Sequence, residues 1–246
     1  MYKFNPQSLH QQLFALAIPM ILSNITVPLL GLVDTAVIGH LEHAYYLGGS
    51  SVGAMVITFV VWLCGFLRMS TTGLAAQAYG AKEHCESFSI LARGLLVAAV
   101  IGTTIIILQT FYLDFSMSLA GGSDQVQFYA RQYSDIRIWG LPAGLANLVI
   151  LGWLLGNHQA KSVMWILIAT NLINLVLDLT FVWGFNWQVQ GVALATLIAE
   201  YMGLFLGLFF IFRKYQQQLI KYQNDIWLSL LDKVALKSYF RMNRDI

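Results

Sequence analysis

The sequence contains little charge, and this shortage excludes most soluble protein classes. Only 11% of its 246 residues are Asp, Glu, Lys or Arg, whereas a soluble domain carries roughly 25%. Hydrophobic residues make up 58% of the chain. So few charges cannot cover the surface of a soluble domain of this length, and the composition points to a membrane protein.

Cysteine is also scarce, and the motifs of several other protein classes are missing. Cys64 lies in an apolar segment and Cys85 in a polar loop, without metal-like or disulfide-framework spacing, so we expect unpaired thiols. The net charge of +2, with no basic run interleaved with aromatic residues, argues against a nucleic-acid partner. The sequence has no phosphate-binding glycine loop and no nucleophile with a base, so we expect no enzyme and no cofactor.

Six apolar segments are each long enough to cross a bilayer, which requires about twenty mainly apolar residues. Lipid offers no partner for open strand edges, so the spans are expected to be helices. The sequence therefore predicts an all-α membrane protein with a six-transmembrane-helix bundle, whose spans cover 12–39, 49–77, 89–113, 125–156, 162–185 and 190–212.

Proline is rare, and within the six segments it occurs only in the first and fourth. These segments are longer than one span requires and contain Pro19, Pro28 and Pro142. Proline removes a backbone donor and clashes with the preceding turn, so bent helices are expected. The first segment has no convincing small-x-small cleavage site, and we expect a retained helix.

Basic residues lie almost entirely on one side of the predicted membrane. A cytoplasmic N-terminus places eleven Lys and Arg inside and none in the outer loops, although Arg131 lies near an outer helix end. We expect residues 1–214 to form the transmembrane unit. Residues 215–246 are more polar and amphipathic; we expect a surface helix or a cytoplasmic linker, followed by the start of a seventh helix at which the chain is truncated.

Polar residues interrupt the fifth segment in N-L-I-N-L-V-L-D (171–178). Asn171, Asn174 and Asp178 follow the spacing i, i+3, i+7 and share one helix face. A charge at the bilayer centre costs roughly 2.5–3.5 kcal/mol on insertion scales, so a retained charge usually faces a cavity or a partner. We therefore expect this stripe to face protein or water.

Three oxygen-bearing side chains are predicted at one depth in the first, fifth and sixth spans. Asp34, Asp178 and Thr196 each lie six residues from the outer end of their segment, about 9 Å below the boundary at 1.5 Å per residue. Two carboxyl groups with amide and hydroxyl oxygens nearby can bind a proton or a small hard cation such as Na⁺. Alternatively, each residue only hydrogen-bonds a neighbouring helix.

Other polar residues in the spans have two open interpretations. Glu200 lies one turn from Thr196 on the same face and would either extend the cation site or form a structural ion pair. Tyr133 and Asn147 in the fourth span would either line a cavity or pack in the core.

Six motifs occur in order along almost the whole chain: P-x-x-L-S-N-x-x-x-P-L-L-G-L-V-D-T-A-V-I-G-H (19–40), G-L-A-A-Q-A-Y-G-A (73–81), G-L-P-A-G-L (140–145), G-W-L-L-G (152–156), N-L-I-N-L-V-L-D (171–178) and G-V-A-L-A-T-L-I-A-E-Y (191–201). In these motifs the chain resembles the multidrug and toxic compound extrusion (MATE) family, especially the bacterial branch named after DNA-damage-inducible protein F.

The resemblance implies a fold and a function. Members of the family have twelve helices in two six-helix lobes around a central cavity, and they export organic compounds in exchange for H⁺ or Na⁺. The chain would correspond to the N-terminal lobe of such an antiporter in a bacterial inner membrane. Its partners would be small organic substrates, the lipid bilayer and a C-terminal lobe. The alternative function is a lipid-linked saccharide flippase of a related fold.

The resemblance also implies roles for individual residues. Asp34 would match the acidic residue of helix one, and Asn174 with Asp178 would match the pair on helix five. Thr196 would match the helix-six hydroxyl, which completes a site for H⁺ or Na⁺. Two further residues would support this site, a helix-four tyrosine (Tyr133) and the proline at which helix one bends (Pro19).

Overall fold

The structure, a computed structural model, describes Ile21, residues 31–41 and residues 43–230. All regular elements in these residues are helical. The α-helices are α1 (31–39), α2 (Ala44–Leu63), α3 (Phe66–Gly80), α4 (His84–Ile107), α5 (Gln109–Ala120), α6 (Asp124–Arg137), α7 (Leu141–Gly156), α8 (Ala160–Asp178) and α9 (Gln188–Ser229), with a 3₁₀ turn at Ile138–Gly140 and a π-helical turn at Leu179–Gly184.

The prediction of an all-α membrane bundle is confirmed. Among the described residues, five helical runs are long and apolar enough to cross a membrane: Ala44–Gly80, His84–Ile107, Asp124–Gly156, Ala160–Gly184 and Gln188–Ser229. They coincide with the second to sixth predicted segments, and the chain is therefore a multi-pass membrane protein. The first predicted segment, 12–39, lies largely outside the described residues, and its end at 31–39 is helical.

The second and fourth spans each contain a local break in the helix. In the fourth span the 3₁₀ turn Ile138–Gly140 separates α6 from α7, and Pro142 stands in the first turn of α7. This agrees with the predicted effect of proline. The second span breaks at Cys64 and Gly65, between α2 and α3. No proline marks that break, and sequence analysis did not predict it. Pro19 and Pro28 lie outside the described residues.

Helix α7 occupies the centre of the bundle and packs against α3, α4 and α9. Its buried side chains include Leu145, Val149 and Trp153, the last of which is 1% exposed. Helix α2 packs against α6, and α8 packs against α9. The residues predicted to bind a cation therefore stand on helices that border one another around the same end of the bundle.

Helix α9 is 42 residues long, about 63 Å at 1.5 Å per residue, which is twice the thickness of a hydrocarbon core. Its backbone leaves helical geometry at Tyr215 (φ −120°, ψ 15°). Beyond this kink, Leu219, Tyr222 and Ile226 pack against the core of the bundle. The segment predicted as a linker, 215–246, thus begins as a packed continuation of α9. From residue 231 onwards it lies outside the described residues.

Candidate cation site

Two acidic side chains from different helices meet inside the bundle. Asp34 of α1 and Asp178 at the end of α8 place their carboxyl groups in side-chain contact. Asp178 is fully buried, with 0% exposure. In the part of the chain that the structure describes, one buried Oδ1 atom of each carboxyl group has no hydrogen-bond partner. A pair of carboxyl groups this close favours binding of a cation or a shared proton, because two unshielded negative charges repel.

Asn174 and Thr196 complete the polar surface beside Asp178. When the Asn174 amide is turned with its NH₂ group towards the carboxylate, the nitrogen lies 3.2 Å from Asp178 Oδ2 and the oxygen 3.3 Å from Thr196 Oγ1. In the opposite orientation of the amide, its NH₂ group donates to Thr196 Oγ1 at 3.3 Å. The Thr196 hydroxyl group donates to Val192 O at 3.0 Å.

The first amide orientation fits an ionised acid. An ionised carboxylate only accepts hydrogen bonds, and in this orientation the NH₂ group faces Asp178 Oδ2 while the amide oxygen faces both the backbone N–H of Thr196, at 3.2 Å, and its hydroxyl group. In the second orientation the NH₂ group faces that backbone N–H, which is also a donor. The first orientation therefore satisfies more of the groups around Asn174.

Tyr133 borders the acid pair from α6. It is 5% exposed, and α2 packs against it so closely that a Cβ atom on Gly53 would lie 2.7 Å from Tyr133 Cδ1. Real Cβ atoms essentially never show such a contact. Glycine at position 53 therefore allows the approach of α2 that holds the tyrosine ring beside Asp34.

A cavity of about 210 Å³ opens beside Asp34. Helices α1, α2, α6 and α9 contribute to its walls, which include Asp34, Ser50, Ser51, Tyr133 and Val192. One acid, two hydroxyl groups of serine and one phenol give the cavity a polar side with acceptor oxygens. It contains no Lys or Arg among its lining residues.

Sequence analysis missed Arg137, the basic residue closest to the acid pair. Its guanidinium group binds both carboxylate oxygens of Glu200, with Nη1–Oε2 at 2.8 Å and Nη2–Oε1 at 2.7 Å. The structure therefore supports the ion-pair interpretation of Glu200. Two signals were available in the sequence: Arg137 lies one turn after Tyr133, and an unpaired charge inside a span requires a partner.

Among the described residues, Asn147 and Asn171 form no hydrogen bonds to the acid pair. Asn147 donates from Nδ2 to the backbone oxygen of Glu200 at 2.9 Å and so connects α7 to α9. Asn171 is half-buried, and its Nδ2 atom has no hydrogen-bond partner within the described segments. Pro19 lies outside the described residues.

Within 31–41 and 43–230, no group of three or more His, Cys, Asp or Glu side chains is placed to hold a metal ion. The oxygens of Asp34, Asn174, Asp178 and Thr196 instead form a small hard-donor set. Oxygen ligands of this kind suit Na⁺, and the two carboxyl groups alone suit a proton.

Comparison with known proteins identifies the family. A family model described as MatE matches residues 19–180. The chain belongs to this family. Over 196 residues it is 53% identical to DNA damage-inducible protein F of Escherichia coli (strain K12), covering 80% of this chain and 43% of that protein. It is 19% identical to the multidrug export protein MepA of Staphylococcus saprophyticus over 220 residues, covering 87% of this chain and 48% of the relative.

Solved MatE-family structures share the fold. A crystal structure titled "MATE in complex with MaL6" superposes with a TM-score of 0.77 at 23% sequence identity, covering 82% of this chain and 45% of that one. The chain spans about half the length of the proteins it matches. The likeness therefore establishes the architecture of one half of a MatE transporter.

Proposed function

We propose that the chain is the N-terminal lobe of a secondary active antiporter of the inner membrane, which exchanges H⁺ or Na⁺ for organic compounds. The observation that carries this proposal is the contact between Asp34 and Asp178 inside a membrane bundle. Retained intramembrane acids usually serve ion or substrate pathways. Family membership and the multidrug export function in the name of a relative support the same conclusion.

The acid pair can couple a cation to a change of helix position. Asp34 stands on α1 and Asp178 on α8, so a bound proton or Na⁺ neutralises the repulsion between these two helices. When the cation leaves, the repulsion returns and favours separation of α1 from α8. Because α1 also forms a wall of the 210 Å³ cavity, the same movement changes the shape of the cavity and its affinity for substrate.

The cavity favours positively charged or neutral organic compounds. Among the lining residues in the described part of the chain, Asp34 supplies the charged group, accompanied by serine hydroxyls and the ring of Tyr133. An acidic and aromatic surface attracts organic cations through charge and through the face of the ring. An anionic lipid-linked saccharide would require basic lining residues, so the structure favours drug export over the flippase alternative.

The test uses the complete gene product in everted membrane vesicles under an imposed H⁺ or Na⁺ gradient. Asp34→Asn and Asp178→Asn each keep the size of the side chain and remove its charge. Both variants should reach the membrane in normal amounts and lose gradient-driven efflux of a cationic dye. Asp135→Asn is the matched control, because Asp135 is an exposed acid paired with Arg131 at 2.9 Å. Wild-type efflux in the first two variants would refute the proposal.

A further inference from the structure

The Arg137–Glu200 ion pair is buried beside the acid pair and has no role in the proposal above. The Arg137 side chain is 9% exposed and the Glu200 side chain 22%. Both carboxylate oxygens are bound in a two-point arrangement that fixes the orientation of the guanidinium plane as well as its position. Two hydrogen bonds therefore fix both the distance and the relative orientation of Arg137 and Glu200, whereas a single contact between charges fixes only the distance.

Gly140 leaves the space that the ion pair occupies. A Cβ atom at this position would overlap Glu200 Oε2 and would lie 2.8 Å from Arg137 Nη1. Gly140 ends the 3₁₀ turn between α6 and α7, and Arg137 is the last residue of α6. The ion pair therefore connects the break in the fourth span to α9, and a Cβ atom at the break would displace the ends of both side chains.

The guanidinium group also faces the cation site. It interacts with the hydroxyl group of Tyr133, one turn earlier on α6, and its positive charge acts on Asp34. Tyr133 and Asp34 border the same cavity. Glu200 thus holds Arg137 in place beside Tyr133 and Asp34.

The surroundings of the acid pair contain few other charges. Among the described residues, the charged and titratable groups around Asp34 and Asp178 are Tyr133 and Arg137 on α6 and Glu200 on α9. Helix α2 supplies the hydroxyl groups of Ser50 and Ser51 to the cavity. Arg137 is thus the only cationic group in this set. Its distance and orientation control how strongly the site attracts a second cation.

Stability alone does not account for an ion pair at this place. The cost of removing two charges from water offsets most of their attraction, and apolar replacements of similar volume are often neutral or stabilising. An apolar pair would connect α6 to α9 equally well. The charge matters because it stands beside two acids that bind a cation.

We propose that Arg137 is a positioning residue for the cation site, held by Glu200 so that its guanidinium group orients Tyr133 and sets the affinity of Asp34 and Asp178 for the coupling ion. This inference rests on the proposed antiport function. The inference adds that the Arg137–Glu200 contact at the α6–α7 break influences the affinity for the ion, although neither residue binds the ion itself.

Two alanine substitutions, four residues apart and both facing Glu200, provide the test. Gly140→Ala displaces the ion pair without removing a charge. Gly144→Ala adds the same methyl group 3.6 Å from Glu200 Oε1, an ordinary contact distance, and serves as the matched control. With the complete gene product in vesicles, the coupling-ion concentration for half-maximal efflux should fall about tenfold in Gly140→Ala, equivalent to about 1.4 kcal/mol, because a displaced guanidinium group repels the coupling ion less. The Michaelis constant for the exported dye, measured at saturating ion, should not change.

A second measurement separates this inference from the proposed function. The infrared carboxyl stretching band of purified protein at acidic pH, assigned by its loss in Asp34→Asn, reports the hydrogen bonding of the acids without transport. Its frequency should shift in Gly140→Ala and stay constant in Gly144→Ala. If the band shifts and wild type shows no gradient-driven efflux, the positioning role stands and the antiport function fails. An unshifted band in Gly140→Ala overturns the positioning role.

The double variant Arg137→Met/Glu200→Met covers the case in which Gly140→Ala does not fold. It removes both charges and retains side chains that fill the space, so a folded protein is expected. A shifted carboxyl band and a stronger ion affinity in this variant support the positioning role, because the positive charge that acts on Asp34 is gone. A wild-type band and wild-type ion affinity contradict it, because the ion pair would then serve only to connect two helices.

Discussion

The amide group of Asn174 lies between the carboxyl group of Asp178 and the hydroxyl group of Thr196, with heavy-atom distances of 3.2 Å and 3.3 Å. One side of an amide donates hydrogen bonds and the other accepts them. Asn174 can therefore donate to an ionised Asp178 while its oxygen accepts from Thr196, which makes it the most informative neutral residue of the cation site.

Replacement of Asn174 by leucine should weaken cation coupling with little effect on folding. Leu has a similar size but cannot bind the carboxyl group, and a hydrogen bond to a charged group contributes about 1.5–3 kcal/mol. We expect at least about a tenfold increase in the ion concentration for half-maximal efflux. Asn171→Leu is the control, because Asn171 lies one turn away on α8 without contacting the acids. Equal effects of the two substitutions would contradict the assigned role of Asn174.

Gly53→Ala should destabilise the protein. The added methyl group would lie 2.7 Å from Tyr133 Cδ1 and 2.9 Å from Ala130 O, and overpacking of this kind typically costs about 1–3 kcal/mol. Thermal unfolding of the complete gene product in detergent measures the effect. Gly80→Ala is the control, since a Cβ atom there meets nothing within 4 Å. An unchanged melting temperature in Gly53→Ala would show that α2 and α6 are less tightly packed than described.

Reporter fusions can determine the orientation of the spans. The excess of basic residues on one side predicts that fusions at Ala120 and Phe185 report from outside the cytoplasm. Fusions at Lys82, Lys161 and Lys221 should report from inside. A cytoplasmic signal at Ala120 would contradict the six-span topology.

The part of α9 beyond the kink should resist proteolysis only while its apolar side chains stay packed. Tyr222 contacts the core, so Tyr222→Ala should speed cleavage near residues 215–229 in inverted vesicles by opening this segment locally. Trp227→Ala is the control, because Trp227 is 74% exposed. Equal cleavage rates in the two variants would show that the segment is not docked on the bundle.

The sequence was sufficient to predict the elements that hydropathy and proline control. Long apolar segments identified the second to sixth spans, and Pro142 marked the fourth span as bent. The break at Cys64 and Gly65 was not predictable in this way, because it contains no proline and follows from packing between neighbouring helices. The amphipathic pattern after residue 212 left a surface helix and a linker as alternatives, and the structure continues α9 to Ser229. The apolar side chains at 219, 222 and 226 follow a helical spacing, but spacing alone does not show that they pack against the bundle.

Depth in the membrane was enough to place Asp34, Asp178 and Thr196 on one level. The contact between the two acids required the three-dimensional packing of α1 against α8. Arg137 was missed for a similar reason, since its partner Glu200 is 63 positions away and only the packing of α6 against α9 brings them together. Residue spacing predicts which side chains share a helix face, but not which faces meet.

Thr196→Ala should distinguish Na⁺ from H⁺ as the coupling ion. The hydroxyl oxygen of Thr196 can ligate Na⁺ beside Asp178 and Asn174, whereas proton binding requires only a carboxyl group. Removal of the hydroxyl should therefore reduce efflux driven by a Na⁺ gradient several-fold and leave efflux driven by a pH gradient nearly unchanged. Thr180→Ala is the matched control, because Thr180 is exposed and its hydroxyl donates to Val176 O at 2.7 Å. Equal loss under both gradients would mean that Thr196 acts by holding Asn174 in place. Unchanged efflux under both would remove Thr196 from the cation site and leave the two acids to bind the ion with Asn174.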